Sequence, residues 1–428
     1  MADFDVIVVG AGCAGSVAAY RLAKAGKSVL LVERGTYAGA KNMTGGRIYS
    51  HSLKKVFPNF EQEAPVERRI SHERISLIDP ESNFTIDFSS KAMEAEGSDS
   101  YTVLRGPFDQ WLAEQAENAG AECIYGIPVE DLIMEDGAVK GVMAGEDELT
   151  ADVTILADGV NSLLTSKAVG ASVPKLHEMA VGVKELIELP SNVIEDRLLC
   201  APGEGASWLF AGDATHGRVG GAFMYTNKDS ISLGLVATLS DLVTAKTPIY
   251  QMFSDFKKHP AVAPLIKGGT TVEYSGHMVP EGGFNMLPKL VCDGCMVTGD
   301  AGMLCINLGY AVRGMDFAVS SGDMAAQAAV EALNKHDVSV TALHRYVELL
   351  EGSYVLKDLK QFRKFPRFME GTKRIFDTYP AMMRDMMNNM FVVDGEPCEP
   401  LKKKLIEPAK QVGYLNLFKD VKGGLGAL

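Results

Sequence analysis

A chain of 428 residues, 46% hydrophobic and 23% charged, is long enough for two or three domains around a large core. Its net charge of −13 argues against nucleic acid as a partner. Seven scattered cysteines, an odd number, do not make a disulfide framework and point to a reducing, cytoplasmic compartment. The N-terminus lacks the basic segment of a secretion signal, and no apolar run reaches the length of about 18 residues that a membrane span needs. Peripheral attachment to the inner face of the cytoplasmic membrane stays open.

The first thirty-five residues organise the rest. Asp5-Val6-Ile7-Val8-Val9 is a β-branched apolar run. It stops at Gly10-Ala11-Gly12-Cys13-Ala14-Gly15 and passes into a helical pattern at residues 16–23. A second strand, 28–32, ends on Glu33. Each part has a physical role in a dinucleotide site. Gly10 permits the tight turn, Gly12 lets a pyrophosphate approach the backbone, and Gly15 lets the helix pack on the strand. The helix N-terminus, with Cys13 and Ala14, offers free N–H groups to phosphate. Glu33 lies at the spacing for a ribose hydroxyl acceptor.

Arg34 and the small-residue stretch through Lys41, Asn42, Thr44, Gly45 and Gly46 read as a loop lying against a ligand, with a flexible surface loop as the alternative. Residues 70–88 read as two strands, and 91–100 as a polar loop. Residues 101–104 are strand-like, and Arg105 sits at the junction with a helix over 110–118. Strand-like stretches follow at 121–125, 128–134 (with Val129) and 138–143. Residues 154–157 form a buried-type strand ending in Asp158-Gly159. The region 175–290 is rich in strand-like runs, such as 205–211, 219–225 and 230–236, with a helix near 249–258. A last core strand ends in Gly299-Asp300. A glycine-dotted stretch containing Gly309, Arg313 and Gly314 then leads into a helix from Met315 to about Leu333. The tail from about 341 is helical, first charged, then rich in methionine.

The opening fingerprint, Arg105-x-x-Phe108-Asp109-x-Trp111-Leu112, Ala157-Asp158-Gly159 and Gly299-Asp300 occur in the order seen in glutathione-reductase-like flavoproteins with a hydroxylase-like substrate domain. Residues 38–46, 180–190 and 307–316 narrow this further. The chain resembles the FixC-type electron-transfer-flavoprotein:quinone oxidoreductases, within the wider geranylgeranyl reductase and hydroxylase-like flavoproteins. The resemblance runs the full length, to Val412-Gly413-Tyr414-Leu415-Asn416-Leu417.

The resemblance implies an α/β fold. A Rossmann-like FAD-binding domain (1–174 and 291–340) would carry an inserted antiparallel β-sheet quinone or substrate domain (175–290) and a helical C-terminal docking region (341–428). It implies FAD, with Glu33 and the first glycines on the ADP half, Arg105 and Val129 along it, and Asp300 at the ribitol or pyrophosphate. Gly314 and Met315 would open a helix pointing at the flavin N1–C2=O edge, where reduction places negative charge. It also implies partners: a FixA/FixB-like electron-transfer flavoprotein, a membrane quinone, and a small FixX-like ferredoxin carrying a 4Fe–4S cluster. Two other readings stay open. One is an FAD enzyme reducing an isoprenoid or hydroxylating an aromatic ring; the other is a flavin-bearing subunit without its own turnover.

No side chain is singled out as catalytic and no metal site is expected. Cys292-x-x-Cys295 lacks a second pair, so structural cysteines are expected. His216, His259 and His277 are not spaced as ligands and read as surface or core residues. Between Lys357 and Arg374, seven basic residues face two acids, which reads as a solvated face or a docking surface. Met382, Met383, Met386, Met387 and Met390 read as adaptable core packing, with an apolar face near a quinone or membrane as the alternative.

Overall fold

The computed structural model describes residues 2–41 and 45–428. In chain order the first strands are β1 (Phe4–Val9), β2 (Val29–Glu33), β3 (Gly46–Tyr49), β4 (Val66–Ile78), β5 (Asn83–Phe88) and β6 (Ser100–Val103). Next come β7 (Glu122–Tyr125), β8 (Val129–Glu135), β9 (Ala138–Ala144), β10 (Asp147–Leu156) and β11 (Met179–Glu188). The last six in the two large sheets are β12 (Glu204–Gly212), β13 (Gly220–Thr226), β14 (Ser230–Thr238), β15 (Thr270–Pro280), β16 (Val291–Cys292) and β17 (Cys295–Val297).

The first sheet has the order β16-β17-β10-β1-β2-β7, parallel except for the β16/β17 hairpin. Its strands are continuous apolar runs because both faces are covered: Val6, Ile7 and Val8 have no exposed surface. The antiparallel ladder β8/β9/β10 extends it. The Cys13–Lys24 and Met315–Asn334 helices pack side by side on one face. Small residues permit the close approach: a Cβ on Gly322 would lie 2.2 Å from the Ala14 carbonyl oxygen.

The second sheet has the order β15-β11-β14-β13-β12-β4-β6-β3, with β5 on β4. It is antiparallel except for β12 against β4. Its strands alternate with period two. Val183, Met224, Leu233 and Leu235 face a core that the Ile249–Lys258 helix closes with Phe253 and Phe256. The intervening Lys184, Phe223, Tyr225 and Val236 face the first sheet's domain across a cavity. Strands β3–β6, between residues 46 and 103, belong to this second sheet. Their alternation marks them as strands without revealing which sheet they extend.

Two local expectations shift. The helix after β6 starts at Arg105 itself and runs to Asn118. The polar stretch after β5 holds a 3-10 turn, Lys91–Glu94, and gives up Ser100 to β6. The C-terminal region is helical from Val340 onward. Its Arg345–Gly352 and Tyr354–Gln361 helices bury Tyr346, Leu350 and Leu359 in the same core as the Met315–Asn334 helix. The methionines of the Thr378–Phe391 helix are half-buried, not core. Among the described residues no helix is long and apolar enough to cross a membrane.

Candidate functional site

One cavity of about 840 Å³ runs between the glycine turn and the inner face of the second sheet. The three glycines of the turn have three different surroundings. Gly10 has φ +100°, and a Cβ there would lie 2.4 Å from the Ala157 carbonyl oxygen. Gly15 lies beneath the turn, where a Cβ would come 1.9 Å from the Gly10 carbonyl oxygen. Gly12 faces the cavity: the nearest atom to a Cβ is Arg105 Nη2, at 3.8 Å. Cys13 and Ala14 continue the wall at the N-terminus of the Cys13–Lys24 helix.

Glu33 ends β2 at the cavity rim. Its carboxylate accepts hydrogen bonds from the Ala11 N–H (2.9 Å) and the Gly35 N–H (2.7 Å), which fix it between turn and loop. Arg34, Lys41 and Val129 line the same end; Gly45 and Gly46 line the wall at the start of β3. Asn42 and Thr44 lie outside the described residues.

Arg105 is held rigidly. Its Nε and Nη2 donate to the two Asp109 oxygens at 3.0 and 2.8 Å. Asp109 is fully buried and also accepts from the Cys13 thiol at 3.6 Å. Asp158 and Gly159 follow β10 on the cavity wall. Burial pushes the Asp158 carboxyl up to about 6, against the pull of Ser162 and Arg34. Asp300 is also shifted upward by burial, opposed by Arg105. Gly299 packs its backbone on the Cys13–Lys24 helix, where a Cβ would lie 2.9 Å from the Ala14 Cβ.

Gly309, Gly314 and Met315 line the far end, at the N-terminus of the long helix. Arg313 reaches the wall, but its guanidinium is committed elsewhere. It pairs with Asp316 (2.6 Å) and Asp358 (2.7 Å) and lies over the Phe317 and Tyr354 rings at 4.9 and 4.7 Å. It therefore shapes the start of the helix rather than offering a free cation.

These surroundings fit a dinucleotide on observations of the chain itself. Among the described residues the Asp158 Oδ1 atom is buried on the cavity wall without a hydrogen-bond partner, and a ligand hydroxyl placed there would satisfy it. Two helix N-termini converge on the cavity, as an anionic ligand requires.

The sequence matches three family descriptions: FAD dependent oxidoreductase over residues 5–167, ETF-QO, ubiquinone-binding over 179–279, and the ETF-QO/FixC family C-terminal domain over 365–428. It is 51% identical to the probable electron transfer flavoprotein-quinone oxidoreductase YdiS of Escherichia coli (strain K12), over 99% of both chains. It is 48% identical to Protein FixC of the same strain, again over 99% of both. The chain belongs to the ETF-QO/FixC family. It is an FAD-dependent oxidoreductase. Among solved structures, a geranylgeranyl bacteriochlorophyll reductase-like protein from Thermoplasma acidophilum shares the fold, with a TM-score of 0.72 at 19% identity over 98% of this chain and 99% of the other.

In this FixC-type chain some cavity residues were not legible in advance. His277, expected as surface or core, stands on the wall, its ring held neutral by burial that pushes its pKa down to about 4. Lys184 lies inside the 180–190 segment that carries the family resemblance, and nothing in its local sequence marks its role. The ion pair of Arg47 with Glu73 lies beside Tyr49 and Tyr225 on strands of the second sheet. His259 is buried with Nε2 2.7 Å from the Asp79 carbonyl oxygen, and His216 stands 3.5 Å from Asp255, both away from the cavity. Cys292 and Cys295 face each other across a two-residue turn as free thiols.

Proposed function

We propose that this chain accepts electrons from a FixA/FixB-like electron-transfer flavoprotein and passes them through its FAD to a membrane quinone. The observation that carries this reading is the continuity of the cavity. The glycine turn and Glu33 form one end, and the apolar face of β11–β14, with Phe223, Tyr225 and Val236, forms the other. A dinucleotide and an apolar ring compound can meet there without crossing solvent. When bound, FAD supplies the redox chemistry; the chain supplies binding, orientation and electrostatics. We assign Gly10, Gly12, Cys13, Ala14, Glu33, Arg105 and Val129 to the ADP half, and Asp158, Gly159 and Asp300 to the pyrophosphate and ribitol. Gly45, Gly46, Gly309, Gly314 and Met315 face the ring. No side chain is assigned as a catalytic acid or base.

The reading is tested by photoreducing the FAD anaerobically and challenging it with a ubiquinone analogue, an isoprenoid diphosphate and oxygen. Fast reoxidation by the quinone alone is the expected result. Stoichiometric reduction of the isoprenoid would replace this reading with an organic-substrate reductase. Glu33→Ala removes the ribose acceptor and is expected to weaken FAD retention by roughly 1–3 kcal/mol, measured by flavin release on dilution.

The C-terminal region supports a docking role. Leu415, Phe418 and Leu425 on the Tyr414–Ala427 helix are 86%, 69% and 78% exposed, with exposed Lys419 and Lys422 among them. In the basic segment, Lys373 and Arg374 are matched by Asp241 and Asp420, whereas Lys360, Lys364 and Arg367 are exposed. We assign this surface to peripheral contact with the cytoplasmic membrane and to a FixX-like ferredoxin. The cluster is then supplied by that partner: beyond residue 310 the chain has only Cys398, and a 4Fe–4S cluster needs four ligands. Iron and acid-labile sulfide on the chain made without partners are expected to be absent. About four iron atoms per chain, matched by sulfide, would contradict this.

A further inference from the structure

Three cations are buried among the described residues: Arg68, Arg74 and Lys184, at 1%, 5% and 6% exposure. Arg68 meets Glu195 at 2.7 Å, and Arg74 meets Asp87 at 2.8 Å. Lys184 has no carboxylate within ion-pair distance among the described residues. Its ammonium donates to the Gly45 carbonyl oxygen at 2.5 Å and lies 5.9 Å from the centre of the Phe223 ring. A buried charge without a counter-charge is costly, so a fold that keeps one invites a reason.

The surroundings are built to hold the ammonium in place. Gly234 stands opposite Lys184 in the β11/β14 register. A Cβ on Gly234 would lie 2.8 Å from the Lys184 Cβ and 2.2 Å from the Phe223 ring. Gly45, which supplies the acceptor, has φ +68°, and a Cβ there would lie 2.0 Å from Ser232 Oγ. Its neighbour Gly46 abuts Met315: a Cβ on Gly46 would lie 3.2 Å from the Met315 sulfur. The ammonium is thus tied to the segment that touches the first residue of the Met315–Asn334 helix, on the wall shared by both ends of the cavity.

We propose that Lys184 is an electrostatic positioning residue whose ammonium is the counter-charge for the negative charge that FAD acquires on two-electron reduction, so that it sets the reduction potential of the bound flavin. This rests on the reading that FAD occupies this cavity. Two electrons and one proton give the anionic reduced flavin. Where Lys184 is neutral beforehand, its amine takes a second proton from water, and no covalent bond forms. The charged and titratable groups around Lys184 are Arg105 from the Arg105–Asn118 helix, Glu273 and His277 on β15, and Tyr225 on β13. Burial, then Arg105, pushes Lys184 down to about 7, and Glu273 opposes them. His277 is neutral in this range, pushed down to about 4. Tyr225 is shifted upward by burial, so it is neutral as well.

The test is a mediator-linked redox titration of the full-length, FAD-loaded chain, with no donor and no quinone present. Lys184→Met is expected to lower the reduction equilibrium of the flavin roughly 100-fold, about 60 mV for a two-electron couple. Lys184→Arg keeps the charge and is expected to stay within about tenfold of the parent, about 30 mV. The parent potential falls more steeply above about pH 7, by about 30 mV more per pH unit for the one added proton. Lys184→Met loses that break. An unchanged potential in Lys184→Met, or the same break with pH, overturns the proposal. The ratio of FAD to protein is measured on each variant. If Lys184→Met fails to retain FAD, Lys184→Gln, similar in length and uncharged, carries the same comparison. A parent chain that binds no FAD would overturn the site assignment itself, before any potential is read.

Discussion

Gly12→Val is expected to give a folded chain that no longer retains FAD. A Cβ at this position meets nothing closer than Arg105 Nη2 at 3.8 Å, so the fold accepts the side chain. The side chain instead fills the cavity above the N-terminus of the Cys13–Lys24 helix, where a pyrophosphate would accept hydrogen bonds. Losing two charge-assisted hydrogen bonds at about 1.5–3 kcal/mol each weakens binding roughly 100-fold or more. The measurement is FAD content after gel filtration, alongside the thermal midpoint of the chain prepared without FAD. Parent-like FAD retention would show that the phosphates lie elsewhere.

Gly15→Ala, three residues on, is expected to fail in the opposite way. Its added methyl would lie 1.9 Å from the Gly10 carbonyl oxygen, which is backbone and cannot swing aside. The helix must lift off β1, at a cost of about 3 kcal/mol. Loss of soluble, folded chain, followed by circular dichroism and denaturant unfolding, is the expected result. A Gly15→Ala chain as stable as the parent would show that the helix does not pack on the turn in this way. The two glycines of one motif thus separate a ligand role from a packing role.

The opening strand, turn, helix and acid were readable because their physics is local. A glycine spacing, an apolar run and one acid are all set within thirty-five residues. Gly299-Asp300 was readable for the same reason, as a strand end. The second sheet was readable as strands but not as a whole. The parallel pairing of β12 with β4 joins residues more than 130 apart in sequence, and alternation cannot report it. Arg313 looked like a residue at the start of a helix facing a ligand; its pairing with Asp358 depends on a helix forty-five residues later. His277 pairs with Gly182, two residues before Lys184, on a strand nearly a hundred residues away in sequence. Nothing in either local sequence announces a shared cavity. The methionine stripe misled because its spacing fits a core helix equally well as the half-covered outer one it belongs to.

The central claim is that electrons enter from an electron-transfer flavoprotein and leave to a quinone through this one chain. The most direct measurement mixes reduced electron-transfer flavoprotein, the FAD-loaded chain and a ubiquinone analogue in vesicles, without oxygen, and follows quinol formation. The predicted result is quinol produced in proportion to the amount of chain, and none with Gly12→Val. Flavin that the donor reduces but the quinone fails to reoxidise would contradict the claim.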